Sequence, residues 1–306
     1  MSSLIGFAVR RLLETVPTLL LLSVLVFALF KLIPGDYLSE MEMNPSISKS
    51  TVAALRADFG LNRSLPEQYG LWVVQAVRGN LGYSFAQRRP ALDVISERLG
   101  RTIYLTLVAL LLSLAWAVPA AVLGALRLGR WPDRLVLVLS LVGMSIPTVL
   151  SSLILLWFAL GLGWSLFSTG GPGGVLLPAV TLAVPAGALF ARTLRLEMVS
   201  VLGQPFAAAA VAQGLPRRRV LLHVLRNAAN PLISLVGLTL GGLLSGAVVV
   251  EKVFSWPGLG ALTVDSILAR DLYVALGAVL VSACFVVLAN FLADVLLALN
   301  DPRVRE

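Results

Sequence analysis

The chain has 306 residues, 58% of them hydrophobic and 13% charged, with a formal net charge of +8 and a mean hydropathy of +0.90. Ordinary soluble domains carry roughly 25% charged residues, so no water-soluble core absorbs this composition and the chain belongs in a bilayer. One cysteine, Cys284, and one histidine, His223, exclude a disulfide scaffold and any metal site built on paired His or Cys.

A membrane-crossing helix needs about 20 mostly apolar residues, because only an internally hydrogen-bonded segment satisfies its backbone in lipid. In chain order, charge-free windows of that kind occupy residues 15–30, 102–126, 135–191, 227–250 and 272–293. The window 135–191 is too long for one crossing, and Gly161, Gly163, Gly170, Gly171, Pro172, Gly173 and Gly174 divide it into two helices. Residues 198–216 also lack charge, but the stretch is mostly alanine, and Gln204, Gln213, Pro205 and Pro216 oppose insertion. The expected fold is therefore an all-α integral membrane protein with six transmembrane helices. Its divisions are a terminus (1–11), a first helix (12–32), an extracytoplasmic segment (33–101), a five-helix core (102–299) carrying a loop at 198–227, and a second terminus (300–306). Pro119, Pro147, Pro178 and Pro185 are expected to kink their helices.

Orientation follows from the basic residues of short loops and helix ends. Arg10, Arg11, Arg127, Arg130, Arg134, Arg192, Arg195, Arg217, Arg218, Arg219, Arg226, Arg303 and Arg305 fall on one side, against Lys252 and Arg270 on the other. Both termini are thus expected in the cytoplasm. Residues 33–101 face outward despite their arginines, since long loops translocate largely regardless of charge. No A-x-A-like cleavage site follows the first apolar run near Lys31, so that run is expected to remain as a helix. Arg217–Arg219 form the only basic cluster and no aromatic platform accompanies them, which argues against a nucleic-acid partner.

The loop 198–227 carries the most information. Residues 206–214 read as a short helix closed by Gly214, a residue suited to the left-handed cap. Pro216 stands where a second short helix would begin, and residues 217–227 place Val220, Leu221, Val224 and Leu225 on one face. Two short helices around a Gly-Leu-Pro turn would make a cytoplasmic knob, with His223 on its surface. Elsewhere, Gly237, Gly241, Gly242 and Gly246 give small-xxx-small pairs that let helices approach closely, within the chain or across a pair of chains. Residues 66–77 form an amphipathic outer stretch, and Trp256, beside Pro257 and Gly258, is expected to anchor at the lipid interface. Glu14, Glu197, Glu251 and Asp294 fall near predicted helix ends, where they reach water, and Cys284 reads as apolar packing.

No energy source is visible. A phosphate-cradling loop requires Gly-Lys-Ser/Thr, yet Lys31, Lys49 and Lys252 follow Phe30, Ser48 and Glu251. No internal repeat of the kind found in secondary carriers is apparent, and a lone histidine removes most intramembrane-protease constellations. If such a chain forms a solute path, it needs a partner that supplies the energy; a stand-alone secondary transporter is the alternative.

Several stretches resemble the permease subunits of ABC importers, in the dipeptide, oligopeptide and nickel branch. Residues 206–214 with Asn227, Ala228 and Pro231 resemble its cytoplasmic loop, although the Glu-Ala-Ala run of that motif reads Ala208, Ala209 and Ala210 here. Gly79-Asn80-Leu81-Gly82-Tyr83-Ser84 with Pro90, Val94, Ile95 and Arg98 resembles the segment before its second crossing. Residues 251–260 with Arg270 and Asp271 resemble its last outer loop, and Asn300-Asp301-Pro302-Arg303 its terminus. The resemblance implies a type I importer architecture in a bacterial inner membrane. It also implies an ATPase-coupling loop comprising Phe206, Ala208, Ala209, Ala210, Gly214, Leu215, Pro216 and Arg217. The implied partners are a second permease, two ATPase subunits that bind ATP and Mg, and an extracytoplasmic solute-binding protein. This chain itself would be non-catalytic, without cofactor or metal. The implied cargo is di- and oligopeptides, with nickel chelates, glutathione or another small solute as the alternative.

Overall fold

The computed structural model describes residues 4–32, 48–58, 60–163 and 174–300. In chain order these form α1 (Leu4–Leu32), α2 (Lys49–Asp58), α3 (Leu65–Val77), β1 (Tyr83–Ser84), β2 (Arg89–Pro90), α4 (Ala91–Leu126), α5 (Trp131–Ser145) and α6 (Thr148–Gly161). They continue with α7 (Leu176–Leu202), α8 (Pro205–Ala212), α9 (Arg217–Val253), α10 (Leu259–Leu268) and α11 (Leu272–Asn300). The two strands pair antiparallel, Tyr83 opposite Pro90 and Ser84 opposite Arg89. Gly170–Gly173 and Asp301–Glu306, to which the sequence assigned a turn and a terminus, lie outside the described residues.

Among the described residues five helices are long and apolar enough to cross a membrane: α1 over Leu13–Leu32, α4, α7, α9, and α11 over Leu272–Ala298. A sixth span exists only if α5 and α6 are taken together, and these are bent by 100° at their junction. The sequence reading of one kinked helix is corrected here to a break. Pro147 has no N–H to continue the ladder and forces its predecessor out of the helical region; Ile146 accordingly sits at φ −82°, ψ 121°. Pro119 and Pro185 lie inside continuous helices, and Pro178 falls in the first turn of α7, where a missing donor costs nothing. The excluded stretch 198–216 contains the end of α7 and the 8-residue α8.

The chain divides into two compact units. The first comprises Ile103–Trp256 with Met1–Leu12 and Val286–Glu306. Its centre is α7, which packs on α5, α6 and α9, with Phe190, Leu194 and Met198 fully buried. Small residues set the spacing. A Cβ added at Gly187 would lie 2.4 Å from the Trp116 indole, and one at Gly237 would lie 2.5 Å from the Cβ of Ala293. Gly241 abuts Val286 and Gly246 abuts Leu182, whereas Gly242 has nothing within 4 Å. Three of the four glycines singled out on α9 therefore serve packing within the chain.

The second unit comprises Leu13–Thr102 and Pro257–Phe285. The amphipathic reading of residues 66–77 is met by α3, whose first turn is set by the amide of Ser64 donating to the Glu67 carboxylate at 3.3 Å. Trp72 on that helix is buried with Phe27 and Leu276. A second cluster joins Leu81, Val94, Ile95, Leu259, Leu262 and Val274.

Candidate functional site

The loop between α7 and α9 is built from residues with restricted backbones. Gln204 is extended at ψ 149° and Pro205 opens α8, its fixed φ suiting the first helical position. At the other end Gly214 adopts φ +76°, a left-handed conformation that costs an L-residue roughly 1–2 kcal/mol. The amide of Leu215 reaches back to the carbonyl of Ala210 at 3.2 Å, and that of Gly214 to Val211 at 3.0 Å; a cap of this kind satisfies the last carbonyls of a helix. Pro216 then caps α9 at ψ 140°. The bend read from Gly214 and Pro216 is present.

One part of the knob differs from the sequence reading. The second helix is not short: residues 217–227 are the first turns of α9, which runs 37 residues to Val253. Pro231 does not end it, since a proline inside a helix removes one backbone bond that neighbouring groups can make good. At 1.5 Å per residue α9 is about 55 Å long, well beyond the ~30 Å of hydrocarbon, so one end stands clear of the lipid. Val220 and Val224 are buried, with Leu221 and Leu225 packed beside them. The expected apolar face is what ties this projecting end to the first unit.

Little else holds α8. Ala207 is buried, and Ala210 and Leu215 pack against the core. Phe206, Ala208, Ala209, Val211, Gly214, Pro216 and Arg217 are exposed. The outer surface of α8 is thus apolar and uncharged, bordered by the exposed Arg217, Arg218 and Arg219, with His223 exposed one turn further along α9. Nothing on it is a nucleophile or a carboxylate. Its chemistry is that of a contact surface.

Close to this loop the structure brings together two residues that sequence reasoning had not joined. Arg195 of α7 donates from Nε to Oδ1 of Asp133 at 2.5 Å, and both side chains are buried. The other carboxylate oxygen accepts the amide of Gly129 at 2.9 Å. Arg195 had been counted only as a cytoplasmic-side charge. The available signal was its place on α7: Ala188, Ala191 and Met198, seven and four residues before it and three after, share its face and are all buried. Such a position demands a partner. Glu251 stands in the last turn of α9, as the sequence placed it near a helix end, but it is fully buried instead of reaching water, because that end of α9 is packed, with Val250 and Phe254 buried beside it. Glu14 is exposed, and Glu197 and Asp294 are half-buried.

In the second unit, the stretch 79–84 meets the stretch around Asp271. The hydroxyl of Ser84 donates to Oδ2 of Asp271 at 2.5 Å, and the amide of Ala86 donates to the same oxygen at 3.3 Å. The amide of Gln87 in turn donates to Ser84 Oγ at 3.0 Å. Burial pushes the Asp271 carboxyl above its ordinary pKa, although these donors pull the other way. Gly82, at φ +103°, lies so close to the Tyr273 ring that a Cβ would stand 2.7 Å from it. The amide of Leu259 donates to Thr102 Oγ1 at 2.7 Å. A cavity of about 460 Å³ in this unit is lined in part by Arg63, Gln68, Trp72, Gln75, Tyr83 and Tyr273.

Two single-residue expectations are corrected. Trp256 is buried and stacks on Tyr104, ring centroids 6.4 Å apart, instead of lying at a lipid interface; it follows a turn in which Ser255 takes φ +53° and the Trp256 amide donates to the carbonyl of Glu251 at 2.8 Å. Cys284 is exposed on α11 rather than packed, which is compatible with an apolar helix whose outer face meets lipid. Among the described residues no group of three His, Cys, Asp or Glu is placed to hold a metal.

The long apolar helices, the capped loop and the contact between Ser84 and Asp271 define a multi-pass helical membrane protein. Residues 117–306 match the family model described as "Binding-protein-dependent transport system inner membrane component", and residues 4–106 match the N-terminal model of the same family. The glutathione transport system permease protein GsiC of Escherichia coli O6:H1 is 36% identical over 306 residues, covering 99% of both chains. The proteins of that name from Escherichia coli K12 and Shigella dysenteriae serotype 1 are each 35% identical over the same span. The chain belongs to the binding-protein-dependent inner-membrane components and is a multi-pass permease subunit of an ABC importer.

Proposed function

We propose that this permease works with a second permease, two ATPase subunits and an extracytoplasmic solute-binding protein, and that its cargo is a short peptide or a peptide-like solute such as glutathione. The observation that carries the cargo class is full-length similarity to permeases named for glutathione transport. ATP and Mg are held by the partner ATPases; this chain has no phosphate-binding loop and takes no cofactor. Both termini and α8 lie in the cytoplasm, and the second unit, with its cavity beside Trp72 and Tyr273, faces the solute-binding protein.

The ATPase dock is α8 together with its flanks: Phe206, Ala208, Ala209, Ala210, Gly214, Leu215, Pro216 and Arg217. An exposed apolar helix next to three arginines is costly to leave uncovered and well suited to an ATPase cleft. Where relatives of this resemblance carry glutamate, Ala208 makes no ion pair, so apolar fit and the arginines supply the contact. Closure of the ATPase pair moves the loop as a lever, rocks the bundle and exposes the path alternately to each side. Gly214→Asp is expected to abolish stimulation of ATP hydrolysis by the loaded binding protein in proteoliposomes, with membrane insertion intact. Unaltered stimulation would remove Gly214 from the coupling path.

A further inference from the structure

We propose that Asp133 and Arg195 are positioning residues for energy coupling. Their buried ion pair clamps the late turns of α7 to the turn joining α4 and α5, so that a displacement of α8 enters the bundle as one movement rather than dissipating in α7. This inference rests on the reading of α8 as the ATPase dock.

The geometry places the clamp where such a role requires it. Arg195 lies about two turns before the end of α7 at Leu202. Only Gly203 and Gln204 separate that end from α8, and both keep backbone bonds to it: Gly203 to Val199 and Ser200, Gln204 to Val201. The link from α8 to Arg195 is therefore short and hydrogen-bonded throughout. On the far side of the pair, Asp133 stands in the first turn of α5 and grips the preceding turn through the Gly129 amide. The last turn of α4 lies against both at Gly124: a Cβ there would meet Arg195 Cγ at 3.5 Å and Asp133 Oδ1 at 3.6 Å, ordinary contact distances that leave no space for a larger branched side chain.

Three segments thus converge on one charge-assisted contact with fixed direction. For stability alone, an apolar pair of similar volume would serve as well or better. A guanidinium Nε bonded to a carboxylate that is itself held by a backbone amide adds what an apolar pair lacks, a geometry with little freedom to slide. Lysine cannot reproduce it, because its ammonium is a point charge on a flexible stem.

The test uses the assembled importer in proteoliposomes and reads ATP hydrolysed per cargo molecule imported. Asp133→Asn and Arg195→Lys are each expected to raise that ratio severalfold at an unchanged amount of bound ATPase, and the double variant is expected to be no worse than either single one. Gly124→Val, which presses on the pair but removes neither charge, is expected to act in the same direction and carries the test if the charge variants do not assemble. Leu105→Ala, which loosens the same unit at a fully buried position outside these contacts, is expected to lower the yield of assembled importer and leave the ratio unchanged. An unchanged ratio in the charge variants and Gly124→Val, or an equal rise in Leu105→Ala, overturns the proposal. A cysteine placed at Val211 separates the two readings: a cross-link to the ATPase with an unchanged ratio rejects only the clamp, and no cross-link rejects the dock together with the clamp.

Discussion

In the first unit helices approach through absent side chains, with the Trp116 indole over Gly187 and Ala293 against Gly237, while in the second such contacts, Gly82 against Tyr273 among them, are joined by ties through polar atoms, from Ser84 to Asp271 and from Leu259 to Thr102. The contrast follows from solvent. Between helices in lipid no hydrophobic force favours contact, so close packing of small residues must supply the attraction. The second unit includes the charged segment before Thr102, where aromatic burial and hydrogen bonds pin short helices and turns. The Asp133–Arg195 pair is a buried polar tie in the first unit.

That contrast yields substitutions of graded severity. The largest effect is expected from Asp133→Ala, which strands a buried guanidinium; losing one partner of such a pair costs about 3–5 kcal/mol. Detergent-solubilised protein should melt far earlier than the wild type, and an unshifted transition would show that water already reaches the pair. Next comes Gly187→Val. It sets a branched side chain into the Trp116 ring, and overpacking of this kind costs roughly 1–3 kcal/mol; Trp116→Ala in the same background should recover part of the lost thermal stability.

Gly214→Ala ranks third. Its left-handed backbone charges a Cβ about 1 kcal/mol, yet nothing lies within 4 Å of the site. Yield should barely change while transport falls, and a larger fall in yield than in transport would make the bend a folding element. The smallest effect belongs to the second unit and depends on pH. The folded-state pKa of Asp271 is raised by burial, so its protonated form contributes stability that is complete below the unfolded value of about 3.9 and is lost as pH rises through the folded value. Asp271→Asn keeps an acceptor for Ser84 and Ala86 without that charge. Melting curves of the two proteins should coincide near pH 4 and diverge by pH 7 in favour of asparagine; a constant gap would mean that the carboxylate is not buried.

How much of this was legible varied with how local the cause was. The bend at Gly214 and Pro216 could be read directly, because a left-handed cap and a helix-starting proline act on their own backbone. Pro147 was recognised as a helix disturber but not as a 100° break, since the size of a bend depends on what packs on either side. Asp133 and Arg195 lie 62 positions apart, and no spacing rule connects them. Trp256 was misread because a tryptophan in a Pro-Gly turn suits an interface as well as a core; its stacking on Tyr104 decided the matter. In the second unit both halves of the Ser84–Asp271 contact stood in stretches already singled out, but their pairing needed the fold.

The lever account requires α8 to face the cytosol and to be covered there by an ATPase. With Cys284 replaced by alanine, a single cysteine at Val211 can be challenged with a membrane-impermeant maleimide. The account predicts labelling in inside-out vesicles, loss of that labelling when the ATPase subunits are bound, and none in intact spheroplasts. Labelling in intact spheroplasts would contradict it.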